Sequence, residues 1–208
     1  MDIWVWANFT LLFLAGGLTP GPAVILVTTA SIRYGFWASM TPAAGICAAN
    51  LVWIALAASG VAVVAKAFPE AFLVVKVAGI AFIVWLAWRT AFGAPVDLLR
   101  RDPPPRRRLF ANGVGLQLAN PNALVYFGGL LPTYFNPAHD MIPQVLISMA
   151  TVTVCEMFGL VVYASCADVL ARRFQSAAFA HGFFRLAALA IVMSAGFAVY
   201  LTWAATGH

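Results

Sequence analysis

Runs of about 18 or more almost uncharged residues recur along the chain, and a run of that length reads as a helix that crosses a bilayer. Two of these runs are interrupted in the middle, at Thr19-Pro20-Gly21-Pro22 and at Asn120-Pro121-Asn122. Hydrocarbon offers no hydrogen bonds to the backbone groups that proline frees. Such a break therefore survives only where protein or a wet cavity replaces the lost bonds. Paired breaks at corresponding positions of two halves point to the midplane site of a solute transporter.

The balance of residues excludes most other classes. Hydrophobic residues make up 63% and charged residues 9% of the chain, with a mean hydropathy of +0.91. A soluble catalytic domain is excluded, because no nucleophile–base pair and no nucleotide-binding loop is present, so no enzyme activity is expected. The net charge of +5 comes from arginines in short connections, without the aromatic interleaving of a nucleic-acid surface. Cys47, Cys155 and Cys166 lie in apolar runs with no CxxC spacing and read as small buried hydrophobes. No cofactor or metal is expected. Asp2 is acidic and the first arginine is Arg33, so the amino terminus lacks a cleavable signal's basic region and the first helix is expected to remain.

The fold class expected is all-α integral membrane, with spans near 4–29, 37–64, 68–91, 109–132, 143–166 and 184–205. Residues 93–108, GAPVDLLRRDPPPRRR, form a basic linker between a repeat over 1–92 and a second over 109–208. With six spans, the first, third and fifth connections share one side. These connections and the span ends beside them hold ten of the twelve Lys and Arg residues, which makes that side cytoplasmic and both termini extracytoplasmic. Three spans per half inverts the second half relative to the first, a recurring transporter design.

Pro20 and Pro22 leave the carbonyls of Gly16 and Leu18 without helical donors, and Pro121 does the same to Gln117. A half-helix starting near Pro22 would present amides and a partial positive charge to a carboxylate. Asn120 suits the cap of a helix restarting after the second break. Asn50 in the second span and Glu156 in the fifth each follow a break by about one helix. A carboxylate halfway along a span costs several kcal/mol unless protonated, paired or hydrated, which marks Glu156 for proton coupling. Asn50 supplies amide hydrogen bonds but carries no proton. Lys76 either snorkels to the outer interface or pairs with Glu156 or a substrate carboxylate. Trp4, Trp6, Trp85, Trp88 and Trp203 fall near span ends as an interfacial belt.

The segments LTPGPAVILV (18–27), GICAANLVW (45–53), VKVAGIAFIVWLAW (75–88), LANPNALVYFGGLLPTYF (118–135) and EMFGLVVYA (156–164) give the chain a resemblance to the LysE/RhtB family of bacterial amino-acid exporters over nearly its whole length. The resemblance implies proton-motive export of an amino acid or related small metabolite across the inner membrane, through an inverted three-plus-three fold. Family members usually carry Gly-Asp where this chain has Ala49-Asn50, and Lys where it has Asn122. One charge of each sign is thus absent, and the substrate expected is a neutral amino acid. Glu156 and Lys76 match the family's acidic and basic positions. The partners expected are this solute, protons and the lipid bilayer; small pairs such as Gly128-Gly129 suit packing either within a protomer or against a second copy. A rival reading is a metal-ion exporter using Cys47, Cys155 and Glu156, with Asn50 one turn from Cys47. A thiol-redox enzyme would need an activated cysteine pair, which nothing here supplies.

Overall fold

A computed structural model describes residues 2–59, 102–120, 123–136 and 138–173, with the isolated positions 182 and 189. All regular structure among them is helical. Helix α1 (Ile3–Leu18) starts where the Asp2 carboxylate accepts the Trp4 amide over 2.8 Å, a side-chain cap on an orphan donor. It stops because neither Pro20 nor Pro22 can donate to the turn behind it. Helix α2 (Pro22–Tyr34) begins with Pro22 in its first turn and is bent by 50° from α1. The first expected span is therefore two helices meeting at the anticipated break.

Gly35 closes α2 and opens α3 (Phe36–Ala58) at once, with φ of 89°. That is a backbone region a side chain disfavours, so the tight corner depends on glycine here. Pro105 precedes α4 (Arg106–Leu118), so the last three arginines of the basic linker form the helix's first turn, and α4 starts three residues before the expected 109. Beyond the second break, residues Leu124–Leu130 wind as a wide π-helix and Leu131–Tyr134 as a tight 3₁₀ turn. Switching from one helical pitch to another within a span is a known mark of functional sites. Helix α5 (Met141–Arg173) carries Arg172 and Arg173 in its last turn. At 33 residues it is about 50 Å long, more than a ~30 Å hydrocarbon layer needs. By length and apolarity α3, α5 and the bent α1–α2 pair could each cross a membrane. The spans expected at 68–91 and 184–205 lie outside the described residues, apart from 189.

Two glycine contacts set the packing. Gly17 of α1 lies against the backbone of Cys155, and Gly159 of α5 lies against the Gly17 carbonyl, so close that a β-carbon on Gly159 has no room. Gly45 of α3 meets the Phe110 carbonyl of α4, and Gly113 of α4 meets the Pro42 carbonyl, equally without space for a methyl group. Between membrane helices, dispersion and close backbone approach replace the hydrophobic effect, which is why small residues occupy such crossings.

The core divides into two apolar clusters. One gathers Phe9 and Phe13 of α1, Ile54 and Ala57 of α3, Phe127, Leu131 and Val152. Its rings interlock: Phe13 lies 5.6 Å from Phe127, and Phe9 meets Tyr134 edge-on at 5.3 Å, geometries that suit the aromatic quadrupole. The other gathers Ala23, Val24 and Val27 of α2, Ala43 and Ile46 of α3, and Leu160 and Ala164 of α5. Along α3 the two clusters lie on either side of Asn50; along α5 they lie on either side of Glu156. The breaks and the polar side chains thus occupy a layer between them. Outward-facing Trp4, Leu11, Trp37, Ile142 and Val154 are exposed, as lipid contact requires.

Candidate functional site

At the first break, the Thr19 amide takes the freed Gly16 carbonyl over 3.1 Å, while the Thr19 hydroxyl returns to Ala15 at 2.8 Å. The freed Leu18 carbonyl accepts the phenol of Tyr163, from α5, over 2.8 Å. Gly16 itself lies beside the Tyr126 ring. Thr19 and Pro20 are exposed, Gly21 is half-buried and Pro22 is buried. With Gly21 as its cap and no side-chain bond to that end, α2 leaves its first amides to whatever sits at the break.

At the second break, the freed Gln117 carbonyl is taken from α3 by the Trp53 indole N–H over 3.2 Å, and from its own chain by the Asn120 amide over 3.3 Å. The side chains join in as well. Asn120 Nδ2 donates to Gln117 Oε1 over 3.1 Å, and Gln117 Nε2 donates to Asn50 Oδ1 over 2.7 Å. All three residues are buried, Asn50 completely. Pro121 and Asn122 lie outside the described residues, and with them the restart that Asn120 was expected to cap. Lys76 lies outside them too.

Each break is therefore met by a helix from the other side of the basic linker. Helix α3, from the first stretch, brings Asn50 and Trp53 to the second break; α5, from the second stretch, brings Tyr163 and Glu156 to the first. Gly17 packs directly against the Cys155–Glu156 backbone, so Glu156 sits two residues' distance along α1 from Thr19. Its carboxylate is partly buried and has no hydrogen bond or ion pair among the described residues. Cys47, one turn before Asn50, lies within electrostatic range of it. Asn50 and Glu156 thus approach the same layer from α3 and α5 without bonding to each other.

Cys155 adjoins Glu156 along α5, but the cysteines form no cluster. The Cys155 thiol turns to the Thr10 carbonyl at 3.9 Å, and Cys166 is exposed. Among the described residues no three His, Cys, Asp or Glu side chains are placed to hold a metal ion, so the metal-exporter reading has no support in the donor set. Sequence reasoning missed Gln117, Trp53 and Tyr163 as partners of the breaks. The positions of the freed carbonyls were available from the prolines; which donors reach them depends on tertiary packing.

Helices broken within apolar runs and completed by side chains from distant helices, as among the described residues here, fit one class of membrane protein: a translocator. The chain belongs to the LysE type translocator family, which matches residues 14–205. It is similar to a homoserine/homoserine lactone efflux protein of Salmonella typhimurium, 28% identical over 80% of this chain and 82% of the relative. A cysteine/O-acetylserine efflux protein of Salmonella choleraesuis is 29% identical over 76% of this chain and 80% of its own length. A leucine efflux protein of Klebsiella pneumoniae is 28% identical over 53% of each chain. No solved structure matches significantly.

Proposed function

We propose that this protein exports a neutral amino acid or closely related small metabolite across the bacterial inner membrane, in exchange for protons, by alternating access. The observation that carries the proposal is the reciprocal completion of the two breaks, with Asn50 at one and Glu156 at the other. The relatives' names agree on small amino-acid cargo, and none of homoserine, cysteine, O-acetylserine or leucine carries a net side-chain charge.

In the proposed architecture the stretches 1–92 and 109–208 are inverted three-helix repeats that rock about the layer between the two apolar clusters. One oxygen of the substrate carboxylate meets the free amides at the start of α2, at the Thr19-Pro20-Gly21-Pro22 break. The amide side chains of Asn50, Asn120 and Asn122 supply neutral hydrogen bonds at the other break. Glu156 takes a proton in one state and releases it in the other. A proton drives the cycle only if the two states hold it with different affinity, and each tenfold difference is worth about 1.4 kcal/mol. The arginine-bearing connections face the cytoplasm and both termini face outward.

The test is uptake of a labelled amino-acid panel into everted membrane vesicles, with and without an imposed pH gradient. Gradient-driven accumulation of neutral amino acids is the expected result. A panel in which no amino acid accumulates would overturn the proposal.

A further inference from the structure

Asn50 Nδ2 is the one buried side-chain nitrogen or oxygen among the described residues that lacks a hydrogen-bond partner. It belongs to a fully buried residue, so this donor is held away from lipid and from α3's own turns. An unpaired amide donor at such a place costs more than a made hydrogen bond gains, and it persists where a ligand completes it.

The chain of amides leading to it has a direction. A primary amide donates through nitrogen and accepts through oxygen. Asn120 donates to Gln117, Gln117 donates to Asn50, and Asn50 is left with its donor outward. Gln117 thereby fixes which end of the Asn50 amide is presented. Its own backbone carbonyl is held by Trp53, so the residue is tied at both main chain and side chain.

We infer that Gln117 is a positioning residue that aims the Asn50 N–H groups at an acceptor oxygen of the cargo, its carboxylate or carbonyl, and thereby selects for solutes carrying one. This rests on the proposed transport function and adds a polarity to its site. A carboxylate oxygen fits this end of the chain; an ammonium group does not, because it would face another donor.

Two near-isosteric changes reverse the polarity by different routes. Asn50→Asp leaves only acceptors at position 50, and Gln117 continues to donate to one of them. Gln117→Glu accepts from Asn120 and draws the Asn50 nitrogen toward itself, turning the Asn50 oxygen outward. Gln117→Leu keeps the volume, adds no charge and leaves Asn50 unheld.

The measurement is counterflow in proteoliposomes of the full chain, with a transported amino acid and its decarboxylated amine as competing inhibitors. Wild type is expected to prefer the acid. Asn50→Asp and Gln117→Glu should each cut that preference about tenfold or more, because a site built around one hydrogen-bond polarity rejects the wrong one strongly. Gln117→Leu should raise KM for the acid about fivefold, on the scale of one neutral hydrogen bond, with little change in kcat. Unchanged preference in all three variants, with wild-type transport intact, would overturn this inference alone. Undiminished preference in Asn50→Asp alone would also overturn it, because the group at position 50 that faces the cargo would then not be a donor. Failure of the wild type to carry any amino acid would overturn the transport proposal along with it.

Discussion

The Tyr163 hydroxyl donates to the Leu18 carbonyl over 2.8 Å, across 145 positions of sequence. That carbonyl is free because Pro22 has no N–H to offer it. The Trp53 indole does the same for Gln117, whose helical donor would have been Pro121. Each bond repairs a defect that the bilayer cannot, and each ties a break to a helix from the other stretch of the chain. Breaks repaired in this way are anchored at fixed points.

Removing either repair should cost stability in small, independent steps. Tyr163→Phe and Trp53→Phe are each expected to lower the unfolding free energy by about 0.6 to 1.7 kcal/mol, the range for hydrogen bonds between membrane helices. The two bonds share no partner, so the double variant should show the sum. Reversible unfolding in bicelles measures this.

The glycine crossings should be far less forgiving. Gly159→Ala and Gly113→Ala place a methyl group against the backbone of a facing helix, whereas a β-carbon on Gly115 meets nothing within 4 Å. The first two are expected to destabilise by about 1–3 kcal/mol or more, as overpacking does. Gly115→Ala should be neutral. Thermal melts of the detergent-purified variants provide the comparison.

Pro22→Ala should separate stability from transport. It restores a donor to Leu18 within the helix and lets the 50° bend relax. Stability is expected to hold or rise, since the amide removed by proline returns. Transport is expected to fall at least about tenfold, because straightening α1 into α2 withdraws the free amides. Paired melting and vesicle-uptake measurements check both.

Orientation is open to a direct test. In a chain whose three native cysteines are replaced, Asp102→Cys in the basic connection should react with an impermeant maleimide only from the cytoplasmic side. His139→Cys, in the turn before α5, should react only from outside. Labelling with the opposite sidedness would invert the proposed topology.

The helical membrane class, the place of both breaks and the carbonyls they free were all legible in the sequence, because proline chemistry and apolar run length are local. Asn50 and Glu156 were legible as polar residues in apolar runs. Their cross-assignment was not: Asn50 follows the first break in sequence yet bonds at the second, while Glu156 follows the second yet packs at the first. Gln117 was legible only as the residue whose carbonyl Pro121 frees, and its 2.7 Å bond to Asn50 is what gives its side chain a role. Gly45, Gly113 and Gly159 gave no hint of pairing either, since contacts between helices carry no local period. The π-helical turn over Leu124–Leu130 had no composition signal distinct from an ordinary span.

The central claim is that Glu156 couples a proton to movement of solute through the two breaks. The most direct measurement compares wild type and Glu156→Gln in the same proteoliposomes for two activities, uphill accumulation driven by a pH gradient and gradient-free counterflow. A neutral amide of the same shape can still rock and exchange substrate but cannot carry the proton. The account predicts that Glu156→Gln loses gradient-driven accumulation and retains counterflow. Accumulation at the wild-type level in Glu156→Gln would contradict it.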